Sequence, residues 1–123
     1  MRCRPAAALP LLVAMWTAPA LAAEGERLFE LHCAACHSVR ADAPPRPGPT
    51  LAALIGRPVA GDAAFDYSPA FRSARNTGRT WNEATLRRFL DDPDDMFPGL
   101  WMSPTGLRRE PDITAVVEYL ARK

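Results

Sequence analysis

Cys33-Ala34-Ala35-Cys36-His37 is the stretch from which the rest of the chain is read. Two thiols three positions apart lie on one side of a helical turn, where they can add to the two vinyl groups of a single haem. The residue that follows, His37, then points its imidazole at the iron. Two other readings compete, a thioredoxin-like dithiol and half of a zinc site. A redox dithiol does not need the histidine and belongs in a βαβ setting with a low-pKa thiol at a helix N-terminus, whereas this pair closes a helical pattern that begins at Glu24. Zinc asks for about four ligands. Beyond the pentapeptide the chain offers only Cys3 and His32, so the spacing is assigned to covalent haem attachment.

The opening residues set the compartment. Met1-Arg2-Cys3-Arg4 is a basic start, Pro5 to Trp16 is a short apolar run, and Ala20-Leu21-Ala22 has the A-x-A form of a cleavage site. Residues 1–22 are therefore expected to be a signal peptide, cleaved near Ala22/Ala23, with one domain over 23–123 exported to the periplasm. The apolar run is shorter than the roughly 20 residues a membrane span requires and is broken by Pro10 and Pro19, so no stable membrane insertion is expected after cleavage. Cys3 leaves with the leader.

Without that leader, 101 residues carry 13 basic and 14 acidic side chains, and Lys123 is the one lysine among them. This balance excludes a nucleic-acid binder, which needs a strong basic stripe. A chain of this size has little core of its own, so a large apolar ring held covalently at its centre would add substantially to what is removed from water.

Periodicity predicts helices and loops only. Glu24 to Cys36 reads as the first helix, with Leu28 and Leu31 and the Phe29/Cys33/Cys36 face at helical spacing. Gly25 within it would let another helix approach closely. His32 is read as a surface or partly covered side chain. Arg40 to Pro49 is a proline-rich loop whose last residue offers a carbonyl, either a plain rigid turn or an acceptor for the Nδ1 proton of His37. Leu51 to Ile55 is a short helix or turn ending at Gly56. Ser68 starts a helix over Pro69 to Arg75. Thr80-Trp81-Asn82-Glu83 has the form of a capping box for a helix that buries Leu86, Phe89 and Leu90 and stops before Pro93. Asp91 to Asp95 holds four carboxylates in five positions and reads as a solvated helix end and loop. A last helix begins at Pro111 with Ile113, Val116, Val117 and Leu120 as its apolar stripe, and is expected to pack near Gly25 and Phe29.

Met96 and Met102 are the candidates for a sixth, thioether ligand, which is soft, unreactive and favours ferrous iron relative to a second imidazole. Met102 is preferred, because Pro98-Gly99 makes a tight turn that can aim it inward, while Met96 stands beside the acidic helix end.

With these landmarks placed, the chain from Ala23 onward resembles the class I cytochromes c of the mitochondrial and bacterial short-chain type. Gly25-x-x-x-Phe29, Cys33-x-x-Cys36-His37, Gly48-Pro49-x-Leu51, Gly56-Arg57, Phe65-x-Tyr67-Ser68, Thr80-Trp81, Leu90-x-x-Pro93, Pro98-Gly99-x-x-Met102 and Tyr119-Leu120 fall in that family's order. The resemblance implies an all-α cytochrome c fold, with N- and C-terminal helices crossing and short helices and loops wrapping one covalently bound haem c. It implies Cys33 and Cys36 as thioether anchors, His37 and Met102 as the axial pair on iron, and Pro49 as the carbonyl partner of His37. Arg57, Tyr67 and Trp81 are implied to hydrogen-bond a buried propionate. This chain departs from the pattern at Thr50, Phe89, Leu100 and Trp101, and the Asp91 to Asp95 run replaces a commonly basic stretch. Its docking face is thus not expected to be the lysine ring of the mitochondrial proteins, and apolar contact through Trp101 and Pro104 is expected to matter more.

The expected function is a soluble, monomeric, periplasmic electron carrier, not an enzyme. Its partners would be redox proteins: a donor dehydrogenase or cytochrome complex, and an acceptor oxidase or reductase. The alternatives are a dedicated haem subunit of a larger periplasmic dehydrogenase and a ligand-sensing or peroxidase-like haem protein with a displaceable sixth site.

Overall fold

The computed structural model describes residues 17–123, and within them the chain is helical with no strand. The all-α class expected from periodicity is what forms. Most of the proposed leader, with Cys3, lies outside the described residues, while residues 17–22 are the first turns of a helix.

Helix α1 runs Thr17–His32, starting earlier and stopping sooner than the predicted Glu24 to Cys36. The start is early because the alanine-rich 18–23 stretch is itself a strong helix former, and Pro19 is tolerated near a first turn. The stop comes because both Cys33 and Ala34 donate their N–H to the Phe29 carbonyl, at 2.8 and 3.0 Å, which ends the regular ladder. The Cys-x-x-Cys-His segment then forms a turn of its own, with Cys36 and His37 both donating to the Cys33 carbonyl at 3.0 and 2.9 Å.

Three short helices follow. α2 (Pro69–Arg75) is capped as predicted by Ser68, whose Oγ accepts from the Phe71 N–H. α3 (Glu83–Asp91) is capped by Asn82, whose Oδ1 accepts from Thr85 N–H at 2.8 Å, and the predicted Thr80–Glu83 box does not form. The reason is tertiary: Thr80 bridges to Pro58, and Trp81 exchanges backbone bonds with Gly56 and Arg57, so both are held extended. α4 (Pro93–Met96), absent from the sequence reading, is capped by Asp92. The acidic run is thereby explained. Carboxylates that would be unfavourable at the C-terminus of α3 stand instead at the N-terminus of the next helix. α5 (Glu110–Leu120) closes the chain.

The core lies where α5 crosses α1. Ile113, Val116, Val117 and Leu120 are almost wholly buried and meet Leu28 and Phe29, with the Phe29 and Tyr119 rings 5.5 Å apart. Each such aliphatic side chain contributes about 1.5–3 kcal/mol on burial. Leu31, expected on the same face, is 66% exposed. At about 100° per residue it stands roughly 120° round the helix from the line of Gly25, past the edge of the α5 contact. α3 packs beside α5, and Arg87 joins the two through Glu110 at 2.5 Å and Thr114 at 2.7 Å. A second cluster, Phe71, Trp81, Phe89 and Phe97, is held by edge-on and tilted ring contacts, and its first three members form one wall of the site described next.

Gly25 shows why the helices can cross so closely: a Cβ there would stand 2.3 Å from the Ala115 carbonyl oxygen and 2.7 Å from Tyr119 Cβ. In an ordinary helix interior Gly→Ala stabilises by up to about 1 kcal/mol. Here the sign reverses. Gly25→Ala is expected to destabilise by about 1–3 kcal/mol through overpacking, read as a lowered urea midpoint at unchanged m-value.

Candidate functional site

The Cys-x-x-Cys-His turn presents His37 to a cleft, and the proline-rich loop fixes the ring from behind. Nδ1 of His37 donates to the Pro49 carbonyl at 2.8 Å. With the proton on Nδ1, the lone pair is on Nε2. Burial pushes the His37 pKa down against the opposing pull of the Pro49 carbonyl, keeping the imidazole neutral as a metal ligand must be. The loop is itself tied to the turn: Gly48 N–H donates to Cys36 O at 2.8 Å and Leu51 N–H to Ser38 O at 2.7 Å. Gly48 is required by contact, since a Cβ there would lie 2.5 Å from His37 Cε1. Arg46 adds a clamp, donating from Nη1 to the Ala34 carbonyl and, at 3.4 Å, to that of His37.

Met102 reaches the same cleft from the segment after α4. Gly99, at φ +87°, makes the turn, and its N–H is held by Asp94 Oδ1 at 3.1 Å. A left-handed conformation of this kind favours glycine. At the far end of the segment Thr105 Oγ1 donates to Leu90 O at 2.9 Å. Of the two thioethers, Met102 lines the cleft and Met96 does not; Met96 packs against the core.

The cleft holds about 400 Å³ and is lined by Cys33, Cys36, His37, Met102, Leu86 and Phe89 among others. Arg57, Tyr67 and Trp81, implied from the sequence to hold a propionate, all border it. Arg57 Nη1 donates to the carbonyls of Thr50 and Ala52 at 2.9 and 3.1 Å, which fixes the guanidinium while leaving other N–H groups for a ligand. The Tyr67 hydroxyl accepts from the Asp62 N–H at 3.2 Å, and burial holds its pKa above the usual value, so it keeps a proton to donate. Thus one part of the lining is polar and the rest apolar, matching a planar apolar ring that carries carboxylates.

The thiols separate the competing chemistries. Cys33 is pushed up to about 11, chiefly by burial and secondly by Cys36. That is opposite to the lowered pKa of a redox dithiol. Among the described residues no three His, Cys, Asp or Glu side chains gather as a metal site. One imidazole and one thioether line a shared cleft beside two thiols, which is the donor set that a ring held through its edge and its metal would need.

His32, read as a surface histidine, is exposed but also borders the cleft, and the Gly106 backbone passes it so closely that a Cβ there would lie 3.1 Å from His32 Nδ1. Sequence reasoning missed Arg46, Asp94 and Thr105. Nothing in their local sequence marks the carbonyls and N–H groups that they satisfy, which come from 5 to 15 positions away.

The family profile described as Cytochrome c matches residues 22–122. A cytochrome c2 of Rhodomicrobium vannielii is 36% identical over 111 residues, 87% of this chain and 86% of its own. Cytochrome c2 iso-2 of Magnetospirillum molischianum is 42% identical over 89 residues, covering 72% and 87%. A cytochrome c of Cannabis sativa is 34% identical over 96 residues, covering 78% and 84%.

The contact at Gly48 yields a test of how the ring is held. Gly48→Ala must displace either the His37 imidazole or the loop, at a cost of about 1–3 kcal/mol. In the reduced, haem-loaded protein the His37 Nδ1 proton is expected to shift and to exchange faster with solvent, as measured by NMR.

Proposed function

The chain belongs to the cytochrome c family, and from that membership we propose that it is a periplasmic, monomeric, monohaem electron carrier that passes electrons between redox proteins. The observation that carries the reading is the convergence on one cleft of Cys33, Cys36, a carbonyl-anchored His37, and Met102. Haem c, the cofactor of this family, supplies a one-electron Fe(III)/Fe(II) couple when bound. The chain's own residues do the rest. Cys33 and Cys36 would hold the haem through thioether links, and the His37 imidazole and the Met102 thioether would be the ligands to its metal. The Pro49 carbonyl orients the imidazole and raises its donor strength. Arg57, Tyr67 and Trp81 offset the charge of a buried propionate.

Two features favour a carrier over an open-site haem enzyme or sensor. Met102 stands on a segment fastened at both ends by Asp94 and Thr105. Phe89 and Leu86, both buried, fill the lining with apolar groups and supply no acid or base. No helix of the described residues is long and apolar enough to cross a membrane.

Met102→Ala is the decisive variant. In the haem-loaded protein it is expected to abolish the near-infrared sulfur-to-iron absorption, lower the midpoint potential, and allow carbon monoxide to bind the reduced form at neutral pH. An unchanged spectrum would remove Met102 from the axial position, and ready carbon monoxide binding by the unaltered protein would favour the sensor or peroxidase reading.

A further inference from the structure

We infer that Trp101 and the Pro98–Pro104 segment form a docking surface for a redox protein whose own contact spot is apolar and bordered by cationic side chains, an inference that rests on the carrier reading above. Trp101 is 66% exposed although it borders the cleft. An indole facing water at the edge of a site is costly in solubility and well suited to a contact, since aromatic side chains dominate binding energy at small interfaces. Its exposure is built in. The segment that carries it is fastened by Asp94 to Gly99 on one side and by Thr105 to Leu90 on the other.

The charge beside it has one sign. Asp91, Asp92, Asp94 and Asp95 are all exposed, and the Asp94 carboxylate that caps Gly99 ties the acidic run directly to the indole's turn. The nearest cations only partly offset them: Arg88 faces Asp95 at 3.6 Å, and the Arg79 guanidinium stands 5.9 Å over the Phe97 ring. Across the cleft the sign changes. Arg46 sits on the Ala34 carbonyl, and Arg108 and Arg109 follow Gly106, which abuts His32, with Arg109 also facing Asp112 at 3.8 Å. A partner with a cationic border is therefore drawn to the Trp101 side and repelled from the His32 side, so the field orients the encounter as well as favouring it. Brief, small-area contact is the mode that electron exchange uses.

The test is voltammetry of the haem-loaded protein on gold coated with either a mixed amine- and methyl-terminated monolayer or a carboxylate-terminated one. Electroactive adsorption is expected on the amine/methyl surface at low ionic strength, falling as salt is raised toward 0.1 M, where the Debye length is about 10 Å. Asp91→Asn with Asp95→Asn leaves the Asp92 and Asp94 caps intact and should reduce coverage several-fold. Trp101→Ala should reduce it further and weaken the part that survives salt. Preference for the carboxylate surface, or unchanged coverage in both variants, would overturn the assignment. So would concentration-dependent self-association in sedimentation that Trp101→Ala abolishes, since the face would then belong to a second copy. A reversible couple for the freely diffusing protein, with the sulfur-to-iron band retained in each variant, isolates this outcome: loss of that couple speaks against the carrier reading, not against the docking face.

Discussion

The hydrogen bond from Nδ1 of His37 to the Pro49 carbonyl joins two parts of the chain that would otherwise be independent, the covalent-attachment turn and the proline-rich loop. Because Nδ1 must hold the proton to make this bond, the other nitrogen is left with a lone pair, and the ring is fixed in tautomer and orientation together. The surrounding features protect that geometry. Gly48 has no side chain because the imidazole occupies its space, and backbone bonds from Gly48 to Cys36 and from Leu51 to Ser38 set the distance between loop and turn. Arg46 satisfies the carbonyls of Ala34 and His37 in the attachment turn that follows α1. Proline at 44, 45, 47 and 49 limits the freedom of the loop before folding, so less entropy is lost in setting it against the ring.

A second constraint comes from the two chain ends. α1 and α5 approach closely enough that only glycine is accommodated at position 25, and the buried residues of α5 form the largest continuous part of the core. Beyond that crossing, the short helices α2, α3 and α4 do not make a bundle. They carry Phe71, Trp81 nearby and Phe89 into a wall for the cleft, with Phe97 packed behind Phe71, and bring the Met102 segment to the same cleft as His37. The division is physical: one helix pair provides stability, and the remaining chain is shaped around a cavity lined by both apolar and polar side chains.

The acidic run illustrates how one set of residues serves structure and surface at once. Asp92 and Asp94 accept backbone N–H groups, at Asp95 and Gly99, and so hold the turn ahead of Met102. Asp91 and Asp95 make no such backbone contact through their side chains and remain exposed. Of the latter two, Asp95 faces Arg88 at 3.6 Å.

Periodicity and motif chemistry alone determined the all-α class, the α2 cap at Ser68, the stripes of α3 and α5, and the thiol pair with its histidine. These follow from local rules, because spacing on a helix and the chemistry of one pentapeptide do not depend on distant residues. Tertiary structure decided what depends on a partner elsewhere in the chain. It moved the α3 cap from Thr80 to Asn82, since Trp81 and Thr80 are pulled into extended pairing with Gly56, Arg57 and Pro58. It turned Leu31 outward and brought Met102, not Met96, to the cleft. It also chose the acceptor reading of Pro49 over a plain turn, because a hydrogen bond across 12 positions exists only once the loop has folded back onto the histidine.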